Sequence, residues 1–159
     1  MREQATLPRQ FDVELAWRAR EGAVLTSGSR PKIVGGAWDD EIDEKTWSPE
    51  HLLLSSLNLC LMTTFQVIAG WERLRVYGYR SRAEAKVDRI QARLGARLGF
   101  TLLTLHVDLD VAPEDVTRTR SHMMEAKQYC LVAGALIPPI HLDLAVRAVE
   151  ASRPVSAPQ

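Results

Sequence analysis

Ser48-Pro-Glu-His-Leu-Leu-Leu-Ser-Ser-Leu-Asn-Leu-Cys60-Leu-Met-Thr-Thr-Phe-Gln-Val-Ile-Ala-Gly70 is the stretch whose reading decides the fold. Ser48 suits a helix N-cap, Pro49 its first turn, and Glu50 places a negative charge at the positive end of the helix dipole. From Leu52 to Gly70 no residue is charged, and apolar side chains from Leu52 to Ile68 cover every face. A helix apolar all round is a buried helix. Its length approaches a membrane span, but Ser55, Ser56, Asn58, Thr63, Thr64 and Gln66 interrupt it and no basic cluster flanks it. The stretch therefore predicts a helix through the middle of a soluble domain, with Cys60 halfway along.

On the N-terminal side, Phe11 to Arg20 alternates, with Val13, Leu15, Trp17 and Ala19 on one face, and predicts a half-buried strand. Glu21-Gly22 turns the chain into a short second strand, Ala23 to Thr26, and a third starts at Lys32. Gly35 to Trp47 is rich in Asp and Glu and reads either as a solvated loop or as a flap beside a site, with Trp38 and Trp47 at its ends. On the C-terminal side, Tyr79, Ser81, Ala83, Ala85 and Val87 share one face of a strand, and the small residues on it would admit a helix at close range. The basic segment Ile90 to Leu98 is expected to be a hairpin connection. Leu103, Leu105, Val107, Leu109 and Val111 alternate with polar residues in the clearest strand of the chain. Pro113-Glu-Asp opens a helix on which Val116, Met123 and Cys130 recur every seven residues, so one face should carry all three. After a short continuation, Pro138-Pro139 breaks the chain, and Ile140, Leu142, Leu144 and Val146 form a last strand.

The predicted class is α+β: three strands, a long buried central helix, two strands, a helix pair and a last strand. Residues 1–10 read as an N-terminal arm, 11–150 as one domain and 151–159 as a disordered tail. One sheet leaves half of an all-apolar helix uncovered, and the same helix from a second copy across a two-fold axis would cover it. Twenty basic residues balance twenty acidic ones, which argues against a nucleic-acid or anionic-membrane partner. The first ten residues have no apolar core of a secretory signal, and two cysteines make no disulfide framework, so a cytoplasmic setting is expected.

In such a setting Cys60 and Cys130 read either as small buried hydrophobes or as a redox pair. They could cycle between dithiol and disulfide if their Cα atoms approach to roughly 4.4–6.8 Å. Cys60, mid-helix among apolar groups, is expected to have a raised pKa, and the dipole of its own helix fades within one turn. A cation would then have to favour the thiolate. His51, His106, His122 and His141 form no metal spacing. His106 and His141 occupy polar strand positions, while His51 is a candidate to line a site. No glycine-rich phosphate loop, nucleophile elbow or CxxC is present, and no bound cofactor is expected.

Ser48-Pro-Glu-His-Leu-Leu-Leu with Cys60 ten residues after Glu50 resembles the first cysteine motif of the OsmC/Ohr family, the osmotically inducible and organic hydroperoxide resistance proteins. Gly78-Tyr-Arg-Ser-Arg-Ala-Glu-Ala resembles its following strand, and Ala126-Lys-Gln-Tyr-Cys130-Leu-Val its second cysteine motif. Leu131 stands where the family often has proline, which points to the broad OsmC-like branch. The resemblance implies a domain-swapped homodimer that reduces organic hydroperoxides. Cys60 would be the peroxidatic thiol, Cys130 its disulfide partner, and an external lipoyl-type or small thiol the reductant. It also implies an arginine at the end of the first strand beside the thiolate; Arg20 matches best and Arg18 is the alternative. Glu50 lies ten residues before Cys60, roughly 15 Å along one helix, so only a partner's Glu50, brought close by a crossing at Ser55-Ser56, could act there. Two other readings stay open: the same dimer binding an apolar small molecule without turnover, and a structural dimer with inert thiols.

Overall fold

The computed structural model describes residues 9–18, 22–36, 46–93 and 95–150. The predicted acidic loop with Trp38, the tail and most of the N-terminal arm lie outside them. The chain divides into two compact units, Met1–Leu52 and Leu53–Gln159.

The first unit is an antiparallel meander of β1 (Glu14–Arg18), β2 (Gly22–Thr26) and β3 (Ile33–Gly35). Leu15 pairs with Leu25 and Trp17 with Ala23, so the predicted alternation is real. The expected burial is not: Leu15 and Trp17 are 63% and 61% exposed. Alternation specifies which side of a strand can be covered, not what covers it, and three short strands supply no second layer. Trp47 donates its N–H to Val34 and accepts from Gly36 (3.0 and 3.2 Å), fixing the chain ahead of the long helix. Ser48 then caps that helix as predicted, its Oγ accepting the His51 N–H at 3.3 Å.

The helix α1 (Pro49–Trp71) is the one described helix long and apolar enough to cross a membrane by length and composition. From Leu53 on it belongs to the second unit, where Leu57, Leu61, Phe65 and Ile68 are buried against a sheet. Its opposite face carries Leu59, 60% exposed, and Val67, so one chain covers half of it, as the sequence led us to expect. The helix ends in a Schellman motif: Leu74 N–H reaches Ala69 O (2.9 Å) and Arg73 N–H reaches Gly70 O (3.4 Å). Arg73 occupies the left-handed position (φ 54°) that glycine usually fills.

The sheet has the order β4-β5-β6, from β4 (Val76–Ala92), β5 (Gly95–Val111) and β6 (Ile140–Ala148). β4 and β5 are antiparallel, and β6 runs parallel to β5. Leu103, Leu105, Val107, Leu109 and Val111 are all buried, which bears out their alternation. The small inner face of β4 admits α1: Ser81 donates to Asn58 Oδ1 at 2.6 Å, and the Phe65 and Tyr79 rings stand 6.3 Å apart. The hairpin connection falls within Ile90 to Leu98 as expected but is shorter, lying between Ala92 and Gly95. Both strands run on into the segment, with Ile90 opposite Arg97 and Arg89 opposite Leu98. Neither face of this outer hairpin is buried in the core, so no hydrophobic alternation marked it.

A single 3₁₀ turn, Pro113–Asp115, leads into α2 (Val116–Tyr129), whose Thr119, Met123 and Ala126 are buried. Asp115 accepts from the Arg75 N–H (3.0 Å) and Arg118 Nη1 (3.2 Å), and Arg118 Nη2 reaches Glu72 O (2.8 Å). These bonds fix the start of α2 against the end of α1. The predicted heptad face stops at Met123, because the chain leaves the helix at Cys130, which is extended (φ −68°, ψ 112°), and re-enters one as α3 (Leu131–Ala135). Cys130 is thus the joint between two helices rather than a position on a helix face.

Candidate active site

That joint turns Cys130 into the core, where it is 1% exposed, and towards Cys60, which is half-buried. The two thiols are neighbours, each acting on the other's ionisation. The surrounding groups push them in opposite directions. Burial raises the Cys60 pKa, but the backbone N–H of Val132, the Cys130 thiol, the Thr64 hydroxyl and the N–H of Leu131 together outweigh it, leaving Cys60 below the usual thiol value. In the resting helix the Thr64 hydroxyl also reaches the Cys60 carbonyl at 2.8 Å. Burial and then the neighbouring Cys60 charge push Cys130 up to about 11, with only partial relief from the N–H groups of Ala133 and Val132.

One expectation changes here. Apolar surroundings were expected to leave Cys60 with a raised pKa. Among the described residues the lowering comes from the Val132 and Leu131 amides, which α3 cannot use internally, with the Cys130 thiol and the Thr64 hydroxyl. The first N–H groups of any helix lack an intrahelical partner, and those of Leu131 and Val132 face Cys60. Sequence reasoning missed these donors because the seven-residue spacing placed Cys130 inside one continuous helix. Had the extended backbone at Cys130 been recognised, the free amides after it would have followed.

The other predicted site residues belong to the first unit or lie outside the described residues. Arg20 lies outside the described residues, and Arg18 closes β1 in the first unit. Glu50 sits in the first turn of α1, its carboxylate held below the usual range first by the Ser48 hydroxyl and then by the free backbone N–H at the helix start. His51 is exposed, with Nδ1 2.9 Å from Ser48 Oγ, and serves the helix cap. His106 stands on the outer sheet face, 3.0 Å from Asp143, and His141 is exposed there too, as predicted.

A dithiol joint packed between a central helix and a mixed sheet defines an α+β protein built around a thiol pair. The chain matches the OsmC-like protein family over residues 42–145, well over half its length, and belongs to that family. Among solved structures it is similar to an OsmC-like protein of unknown function from Vibrio cholerae, at 14% identity and a TM-score of 0.76, covering 86% of this chain and 99% of that one. An OsmC-like protein from Mycoplasma pneumoniae gives 15% identity and 0.73, covering 91% and 100%. A Legionella pneumophila protein described as an organic hydroperoxide resistance protein OsmC gives 14% and 0.64, covering 91% and 100%. At these identities the likeness is one of fold. None of the curated proteins matches the chain in sequence.

Proposed function

We propose that the protein is a thiol-dependent peroxidase that reduces organic hydroperoxides to alcohols. The observation that carries this reading is the opposite tuning of two neighbouring thiols, Cys60 below the usual pKa and Cys130 at about 11. The thiolate is the nucleophilic form. Cys60 attacks the distal peroxide oxygen, the O–O bond breaks, and the alkoxide leaves to take a proton from solvent. Cys60 becomes a sulfenic acid, and the Cys130 sulfur displaces its hydroxyl to give a disulfide and water. A lipoyl-type or small thiol then exchanges with the disulfide and restores both thiols. The half-covered α1 and the exposed apolar face of β1 support an intertwined homodimer as the working form. In that dimer Arg20, with Arg18 as the alternative, and Glu50 are the charged residues we assign to the site, Glu50 acting across the two-fold axis. A cytoplasmic setting keeps the resting pair reduced.

The test is a free-thiol titration before and after one equivalent of tert-butyl hydroperoxide. Loss of two thiols per chain, reversed by a dithiol, is the expected outcome. No loss refutes turnover and favours a dimer that holds an apolar ligand. Cys60→Ser should abolish peroxide consumption, while Cys130→Ser should consume one equivalent and stall. Mixing Cys60→Ser with Glu50→Ala chains should restore about half the activity per dimer, since one site then carries both lesions.

A further inference from the structure

Thr64 follows Cys60 by one turn on the same face of α1, and both residues are half-buried. The Thr64 hydroxyl donates to the Cys60 carbonyl at 2.8 Å. The exposed Thr63 hydroxyl reaches that same carbonyl at 3.0 Å and the Leu59 carbonyl at 3.0 Å. The helix ladder itself directs the Thr64 N–H to the Cys60 carbonyl. Three donors thus converge on an oxygen with two lone pairs. Among the described residues of α1, Cys60 is the one whose carbonyl receives two hydroxyls. The Thr64 hydroxyl is the surplus donor, because the backbone N–H and Thr63 stay on the carbonyl when it leaves. Threonine in a helix divides between two χ1 rotamers, so leaving needs no backbone movement. Burial raises the Cys60 pKa, and after the Val132 N–H and the Cys130 thiol the Thr64 hydroxyl is the next group that lowers it.

We propose that Thr64 is a further residue of the Cys60 site, its hydroxyl turning from the Cys60 carbonyl to the Cys60 sulfur when the thiol ionises. A neutral thiol is a weak acceptor and loses the hydroxyl to the carbonyl, whereas a thiolate offers a charge-assisted bond. The proton lost by Cys60 goes to solvent, and Thr64 keeps its own. The amides of Leu131 and Val132 are held in place by the backbone; this donor moves with the charge. The inference deepens the peroxidase reading and rests on it for its role in turnover, while the effect on the thiolate is independent of any peroxide.

The experiment follows alkylation of Cys60 by iodoacetamide across pH, by mass spectrometry of its peptide. Thr64→Val keeps the branched shape and deletes the hydroxyl; Thr64→Ser keeps the hydroxyl. Thr64→Val should react about three- to tenfold more slowly below the pKa and converge with wild type above it. Thr64→Ser should stay within about twofold of wild type, and Thr63→Val should show a smaller deficit than Thr64→Val. A merely structural threonine predicts a changed melting temperature and a deficit equal at every pH. A deficit below about threefold, one independent of pH, or a Thr63→Val deficit as large overturns the proposal. If Thr64→Val fails to fold, Thr64→Ala against Thr64→Ser makes the same comparison. In a second arm each protein receives one equivalent of tert-butyl hydroperoxide. Slower loss of the first thiol in Thr64→Val, by the factor seen with iodoacetamide, supports the proposal; an unchanged rate overturns it. If wild type consumes no peroxide, the peroxidase reading has failed, and the alkylation profile alone decides the role of Thr64.

Discussion

Leu131→Pro isolates a single backbone donor at Cys60, the more acidic thiol. Proline at the first position of a helix removes an N–H that no intrahelical carbonyl accepts, so α3 loses no bond. The preceding residue must be extended, and Cys130 already is, at ψ 112°. The Leu131 side chain is 77% exposed, so little burial is lost with it. What disappears is one of the two amides that favour the Cys60 thiolate. Leu131 is the weaker of them, so the neutral hydrogen-bond range of about 0.5–1.5 kcal/mol is appropriate, a two- to tenfold smaller thiolate fraction below the pKa. The assay is alkylation by iodoacetamide across pH, followed by mass spectrometry of the Cys60 peptide; Cys130, buried and pushed up to about 11, stays silent at neutral pH. The variant should react about two- to tenfold more slowly at low pH and converge with wild type at high pH. Equal rates throughout, or a deficit that persists once both are ionised, would refute amide stabilisation and point to altered access.

Three further outcomes follow from other parts of the fold. Cys130 links stability to alkaline pH: an unfolded thiol titrates near 9 and the folded one near 11, so the unfolded state holds fewer protons between them. Its stabilising contribution is full below pH 9 and lost as pH rises through 11, and urea titrations should show that slope shrink in Cys130→Ser. Ser81→Ala leaves Asn58 Oδ1 without its 2.6 Å donor and should cost about 1–3 kcal/mol in urea unfolding, with partial recovery when Asn58→Leu is added; no loss would mean water replaces the bond. Arg73→Gly relieves the left-handed backbone after α1 and should stabilise by about 0.5–1 kcal/mol; a loss would show that the Arg73 side chain holds the motif together.

What the sequence made legible were the elements whose burial is decided inside one layer. The alternation from Leu103 to Val111 lies over the core and was visible residue by residue. So was the small inner face of β4, because Ala83 and Ala85 only make sense beneath a close helix. The outer end of the hairpin, Arg89 to Leu98, was not legible as paired strand, since neither face is buried in the core and composition then says little about pairing. β1 failed in the opposite way: its pattern was read correctly and its burial was not, because burial depends on a layer that three strands do not provide. The cysteines were found, yet their geometry was misread. A spacing of seven is compatible with a continuous helix, and the break at Cys130 has no proline or glycine to announce it.

That break is what separates the two thiols chemically. Both cysteines lie in the same core and burial acts on both in the same direction, so burial cannot assign their roles. The assignment comes from where free donors face. α3 starts immediately after Cys130, and its Val132 and Leu131 amides favour the Cys60 thiolate, while burial and the Cys60 charge keep Cys130 protonated despite the Ala133 and Val132 amides. A continuous helix through Cys130 would have spent the Leu131 and Val132 N–H groups on carbonyls four residues earlier. Cys60 would then lack the donors that outweigh its burial, and the two thiols would differ far less. The five-residue helix contributes little to the core, but its starting point makes Cys60 the more acidic thiol and leaves Cys130 a protonated neighbour within reach.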